Sequence, residues 1–243
     1  MYPCSGGFSY RGLHVGCHAH PSPLSLIPAI ATSCNGYFCW GLYYMIGARQ
    51  KYGSVQKAMN TWRDYMVSMG FGYQLGIDLP GEKRGMIPNA QYYDKAYRRS
   101  WNGLTIISIS IGQGEVTATP LQIANLGATI ANRGYFVTPH VVKEIEGESI
   151  DSIYTTRRYT KVDKGHYEEV VQGMRSAVLG GTCRTANIPE LEICGKTGTA
   201  QNHGKDHSAF MGFAPMNNPK IAIAVYVENG GWGSHIWGSY RKN

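Results

Sequence analysis

Three strand-length segments close the sequence, at 192–201, 208–214 and 220–227. Turn-forming residues separate them, and the apolar segments before them carry mostly helical spacing. Strands gathered at one end of a chain, with helices ahead of them, pair as an antiparallel meander that helices cover. This is the α+β class rather than an alternating parallel sheet. The last segment, IAIAVYV, runs apolar more than it alternates, the pattern of a central strand.

Local signals place the helices. Residues 24–32 hold a short helix that Ser33-Cys34-Asn35-Gly36 breaks, and 37–52 reads as a buried helix that Gly53 ends. Ser54 N-caps a helix reaching about residue 69, with Gly70 as its stop. Leu79-Pro80-Gly81 is a turn, followed by an exposed Tyr-, Lys- and Arg-rich loop to Ser100. Thr119-Pro120 starts a helix, with Thr as N-cap and Pro at N1, that ends at Asn132-Arg133-Gly134. Residues 135–145 form a strand. Residues 165–179 form a helix with Val170, Val171, Met174 and Val178 on one face. Residues 1–23 read as irregular and Cys/His-rich, and 234–243 as a short polar tail.

At 243 residues the chain is one large domain or two small ones. Apolar residues make up 43%, enough for a sizeable core, and charged residues only 16%, which excludes a charge-driven disordered chain. The longest apolar run, at 104–111, has the length of a strand and is too short to span a bilayer. The first residues lack the apolar core of a signal peptide. The net charge of +7 is scattered, with pairs at Arg98-Arg99 and Arg157-Arg158 but no dense stripe, so no nucleic-acid partner is expected. The 17 tyrosines fall mostly in predicted helices and one loop, which favours packing over a base-stacking platform.

Two short motifs carry the chemistry: Ser33-Cys34-Asn35 and Lys196-Thr197-Gly198-Thr199. Each alone is weak, and an ordinary strand with a solvated lysine would also produce the second. A lysine flanked by Gly195 and Gly198 on a strand also suits a groove in which a carboxylate lies along the backbone. Thr197 and Thr199, two apart, direct their hydroxyls to one side.

Together the motifs match two of the three signatures of penicilloyl-serine enzymes, Ser-x-x-Lys, Ser-x-Asn and Lys-Thr-Gly. The resemblance extends through Ile111-Gly112-Gln113-Gly114, the TATPLQIANLGATIANRG run at 117–134, Gly173-Met174, Gly181-Thr182, CGKTGTAQ at 194–201 and AFMGFAP at 209–215. These resemble the transpeptidase domain of class B penicillin-binding proteins. FGYQLGIDLP at 71–80 and Asn229-Gly230-Gly231-Trp232 are similar to the elongation-type members, the penicillin-binding protein 2 group.

The resemblance implies a penicillin-binding protein/serine β-lactamase-like fold and a D,D-transpeptidase that cross-links peptidoglycan stem peptides through an acyl-serine, a serine that β-lactams also acylate. It implies that Ser33 shuttles a proton and that Asn35 binds the acyl-side amide. Lys196 keeps the site electropositive, and Thr197, Gly198 and Thr199 receive the substrate carboxylate, with the Thr199 N–H as an oxyanion donor. No cofactor is required for acyl transfer. The implied partners are stem peptides, β-lactams and membrane proteins of the elongation machinery, at the periplasmic face of the inner membrane. A serine β-lactamase or β-lactam sensor of the same superfamily is the neighbouring alternative, against which the GQG and TATPLQ runs argue.

The nucleophilic Ser-x-x-Lys should precede Ser33, and residues 1–32 contain none. Ser54-x-x-Lys57 and Ser239-x-x-Lys242 stand after it, in the wrong order, and Ser54 already serves as an N-cap. The chain is therefore expected to be the C-terminal part of the transpeptidase domain, inactive by itself, or else a non-catalytic remnant.

Four of six cysteines lie in the first 39 residues. Cys4, Cys17, His20 and Cys34 supply a donor set suited to tetrahedral structural zinc, with His18 as the substitute for His20. A Cys4–Cys17 disulfide and unrelated buried thiols remain as the other two readings. Cys39, Cys183 and Cys194 read as small core residues, and His14 as a loop residue.

Overall fold

The computed structural model describes residues 1–231. The tail at 234–243, Trp232 and the Ser239–Lys242 match lie outside the described residues. In chain order the elements are β1 (Gly7–Tyr10), β2 (Leu13–Gly16), α1 (Leu26–Ala31), α2 (Asn35–Gly47), α3 (Arg49–Tyr52), α4 (Val55–Ser68), α5 (Ala90–Ala96), α6 (Pro120–Ala131), β3 (Tyr135–Phe136), β4 (Arg158–Tyr159), α7 (Lys164–Leu179), β5 (Cys194–Ala200), β6 (His207–Ala214) and β7 (Ile221–Val227).

The C-terminal meander forms as expected, antiparallel in the order β5-β6-β7. The register sets Lys196 opposite Met211 and Phe210 opposite Val225. Helix α6 packs on β6 and β7, and α7 on β5. Between them lies a core of Ile130, Val171, Met174, Cys194 and Phe213. A second core joins α2, α4 and α5 through Leu42, Ile46, Met59, Tyr93, Trp101 and Ile106.

The helix-start signals are realised. Thr119 and Gln122 form a reciprocal capping box with Pro120 at N1, and Ser54 Oγ accepts the Lys57 N–H, which gives Ser54 its structural role.

Several expectations need correction. Residues 7–16, read as irregular, form a hairpin. Arg11 and Gly12 at its tip have φ of 48° and 81°, the two left-handed positions of a type I′ turn, and His14 lies on its second strand, not in a loop. The helix read at 37–52 starts earlier, at Asn35, and is broken at Ala48. The loop read up to Ser100 contains α5, because Asn89 caps it and Tyr93 is fully buried. The 104–111 run winds into a 3-10 helix over its second half, and the strand read at 135–145 forms a ladder through Tyr135 and Phe136, with a lone bridge from Ile145 to Glu148. Finally, among the described residues β7 lies at the edge of this sheet and β6 at its centre. β7 is apolar on both faces because Ala222 packs towards Gly127 of α6 while Ile221 and Ile223 remain 60% and 41% exposed.

The contact that orients α1, and the turn after it, is with α7. Gly173 has no side chain because Ile30 fills the space: a Cβ there would lie 2.8 Å from Ile30 Cβ and 2.9 Å from its Cδ1. Gly173→Ala gains about 1 kcal/mol of helix propensity but overpacks this contact, a cost of about 1–3 kcal/mol. A net loss of stability in chemical denaturation is expected, and a variant as stable as the parent would show that α1 is not held by this contact.

Candidate active site

Ser33 stands where α1 must stop. The Ser33 N–H donates to Ile30 O (3.1 Å) and the Cys34 N–H to Ala29 O (2.9 Å), the two bonds of a Schellman motif. The residue between those bonds adopts the left-handed conformation, and Ser33 has φ 53°. Glycine fits that position without strain. A serine there is the more costly choice, and its hydroxyl explains it.

That hydroxyl accepts a 2.7 Å hydrogen bond from Lys196 Nζ, across 163 residues of sequence. The same ammonium donates to Thr197 O at 2.8 Å. The Thr182 N–H donates to Ala31 O at 3.1 Å, and Thr197 Oγ1 donates to Thr182 Oγ1 at 3.3 Å. The segment after α7 thus links the end of α1 to β5 and sets the spacing between Ser33 and Lys196.

Asn35 opens α2, and its side-chain amide donates to Gly16 O at 2.9 Å. Across the cleft, Gln113 stands between Gly112 and Gly114, whose φ values are 74° and 72°. Its amide donates to Thr199 O at 2.9 Å. The N–H and C=O of one residue in an antiparallel strand point the same way, so the Thr199 N–H is directed towards the side that Gln113 occupies.

These groups line a cleft of about 720 Å³ that contains Ser33, Asn35, Lys196, Thr197, Gly198 and Thr199 together. All six residues expected at the site on sequence grounds are therefore brought to one place. The two glycines beside Lys196 differ in role. Gly198 lines the cleft and shares the Lys196 face, where a Cβ would meet Ala209 Cβ at an ordinary 3.5 Å, whereas Gly195 makes room for Phe210, since a Cβ there would lie 2.7 Å from that ring. Gln113, Thr182, Arg184 and Asp206 also line the cleft and were not singled out as site residues. For Gln113 the available signal was its place between two glycines.

Desolvation of its ammonium, first, holds the Lys196 pKa below the usual lysine value, and Cys183 opposes this. His18, at the cleft, is lowered by burial, then by His20 and Lys196.

Behind the turn lies the Cys/His cluster. Ligand atoms of Cys4, Cys17, His20 and Cys34 all fall within 4.8 Å of one another. Cys34 is the N-cap of α2, its Sγ accepting the Tyr37 N–H at 3.3 Å. Burial, first, pushes the Cys34 thiol up to about 12 and raises Cys17 as well. Gly36 fits closely, since a Cβ on it would meet Cys4 Sγ at 2.9 Å. All six cysteines are free thiols, and Cys39, Cys183 and Cys194 are buried as expected.

Residues 5–242 match the family "Penicillin binding protein transpeptidase domain". The chain belongs to this family. It is 38% identical over 224 residues to the peptidoglycan D,D-transpeptidase MrdA of Acinetobacter baumannii, covering 83% of this chain and 31% of that protein. It is 32% identical over 228 residues to MrdA of Haemophilus influenzae, covering 85% of this chain and 33% of that protein. The chain thus spans about a third of the length of the curated relatives it matches. Among solved structures it is similar to PBP2 of Pseudomonas aeruginosa in complex with WCK 5153 (TM-score 0.73, 34% identity, 90% of this chain and 46% of that one). It is also similar to PBP2 of Helicobacter pylori in complex with MreC (TM-score 0.69, 29% identity, 86% and 37%). The α+β architecture is that of the transpeptidase fold. Among the described residues, no helix is long and apolar enough to cross a membrane.

The lowered pKa of Lys196 has a consequence for stability. Between that value and its ordinary 10.5, the unfolded chain binds more protons than the folded one. Stability contributed by Lys196 therefore rises with pH across that window. Unfolding curves from neutral to alkaline pH for the parent and for Lys196→Met are expected to give a difference that grows in the parent's favour. Parallel curves would show that the ammonium is not desolvated.

Proposed function

We propose that this chain is the C-terminal part of a peptidoglycan D,D-transpeptidase domain and holds the stem peptide beside a serine nucleophile. The observation that carries this is the 2.7 Å bond from Lys196 to Ser33 in a cleft edged by Asn35 and the Thr197–Thr199 strand. Because Lys196 donates to Ser33 Oγ, the serine proton is left to point elsewhere, and Ser33 can pass a proton between the lysine and a leaving nitrogen. The ammonium and the two threonine hydroxyls suit a terminal carboxylate, Asn35 suits the adjoining amide, and the Thr199 N–H suits a developing oxyanion. Acyl transfer to a serine needs no cofactor. The nucleophile in this reading belongs to a Ser-x-x-Lys motif, which residues 1–32 do not contain. The partners and setting follow the relatives: stem peptides and β-lactams as ligands, an elongation-machinery partner of the MreC kind, and the periplasmic face of the inner membrane.

The chain is expected to bind a peptide ending in D-alanyl-D-alanine, with NMR shifts at Ser33, Asn35 and 197–199. Lys196→Ala should weaken binding by about tenfold, the loss of one charge-assisted bond. Binding should fade at a pH below that of ordinary lysine titration, since the lowered pKa of Lys196 releases its proton earlier. Incubation with a penicillin should leave the intact mass unchanged. Binding that is indifferent to Lys196, or a penicilloyl adduct on any serine of the chain, would overturn the assignment.

The Cys/His cluster supports a second element of the reading, a structural zinc held by Cys4, Cys17, His20 and Cys34. Three sulfurs and one imidazole are a tetrahedral zinc donor set, and bonds of about 2.0–2.3 Å put such donors within the observed spacing after slight contraction. His20 Nε2 faces Cys17 Sγ at 3.4 Å while its Nδ1 lies 2.7 Å from Pro21 O, the outer contact that fixes a ligating imidazole. A divalent cation would also reverse the cost of ionising the buried Cys34 thiol. Native mass spectrometry should find one zinc per chain, absent from Cys34→Ala, and chelation should lower the melting temperature. A chain that takes up no zinc under these conditions would refute the site.

A further inference from the structure

The thiol cluster is built unevenly. Cys34 is fully buried at the cap of α2 and Cys4 is 6% exposed, whereas Cys17 is only half-buried at the end of the hairpin. Cys17 is thus the sulfur that a solvent-borne reagent reaches first. Cys4 is close behind it, its Sγ within 4.8 Å of the sulfurs of Cys17 and Cys34. The backbone brings the segment just after Cys4 against Cys17. The Cys17 N–H donates to Gly6 O at 2.9 Å, and Gly7 pairs with Gly16 at the open end of the hairpin.

We infer that this cluster is an oxidant-modification site, in which a hydroperoxide converts Cys4 and Cys17 to a disulfide in a state exclusive with metal binding. Cys17 sulfur attacks the peroxide, taking one oxygen to become a sulfenic acid and releasing the alcohol or, from hydrogen peroxide, water. Cys4 sulfur then displaces that oxygen as a second water, with protons supplied by Cys4 and solvent. The two sulfurs together lose two electrons, which reduce the peroxide. Only Cys34 and His20 remain as donors, too few for a tetrahedral site, and the cation leaves. Formation of the bridge rests on the cluster's own geometry. The exclusion of metal rests on the zinc reading above.

The experiment uses the purified 243-residue chain, reduced and offered one equivalent of zinc, then treated with hydrogen peroxide. Free thiols are alkylated and peptides mapped by mass, while a chromogenic chelator records released zinc. The expected result is loss of the mass of two hydrogens, a Cys4–Cys17 cross-linked peptide, and release of the bound zinc, all reversed by dithiothreitol. Cys4→Ser should stop the reaction at a dimedone-reactive sulfenic acid on Cys17, and Cys39→Ser should change nothing. Peroxide treatment that leaves Cys4 alkylatable, or that joins Cys4 to Cys34 instead, would overturn the inference whether or not zinc binds. A Cys4–Cys17 bridge in a chain that never took up zinc would uphold the modification site and refute the metal reading alone.

Discussion

The bond between Lys196 and Ser33 joins two residues that lie 163 positions apart in sequence, and the rest of the structure is arranged to hold its length. Ser33 is fixed by the stop of α1, and Lys196 by its register on β5. The two are set at 2.7 Å because α7 packs on both α1 and β5, and because Thr182, just past its end, bonds to Ala31 and Thr197. Without that framework a desolvated ammonium would have no reason to stay under the sheet edge, since its burial is unfavourable until a polar partner meets it. The serine hydroxyl and the Thr197 carbonyl are those partners.

The same turn faces two ways. Ser33 reaches forward to the lysine, Cys34 backward to the thiol cluster, and Asn35 sideways to the carbonyl of Gly16, the residue before Cys17. Three consecutive residues therefore belong to three environments, which is possible because φ 53° at Ser33 ends one helix and Cys34 begins the next. The close fit of Gly36 against Cys4 leaves little slack between cluster and groove. Cys17 and Cys34 thus each stand between two residues that line the cleft.

How much of this was legible in the sequence depended on the range of the forces involved. Elements decided locally were readable: the Thr119–Gln122 cap with Pro120, the Ser54 cap, the helix before Gly180 and the three final strands. Elements decided by distant packing were not. Tyr93 looked like one more tyrosine in a polar loop, yet Trp101, Met59 and a bond to Glu115 bury it and carry α5 with it. The 1–23 segment looked irregular because Gly and His obscure its alternation, and the hairpin shows only in the left-handed pair Arg11-Gly12 and the burial of Phe8. The outward apolar side chains of β7 mimicked a central strand.

At the site, side-chain identity was easier to read than side-chain duty. Ser33, Asn35, Lys196 and the Thr197–Thr199 run were recognisable because few residue types suit carboxylate binding and proton transfer. What each glycine does was not readable, because Gly195 and Gly198 are chemically identical and differ only in what lies around them: a phenylalanine ring packed against one, and the cleft and the Ala209 methyl beside the other. Gln113 was hidden for the same reason, since an amide between glycines acquires meaning only when an 86-residue separation in sequence closes to a 2.9 Å bond with Thr199. The Cys/His set is the counterexample. Its members could be named from composition because the chemistry that groups three thiols and an imidazole tolerates many spacings, provided the chain can return to one point. The hairpin and the cap of α2 supply that return.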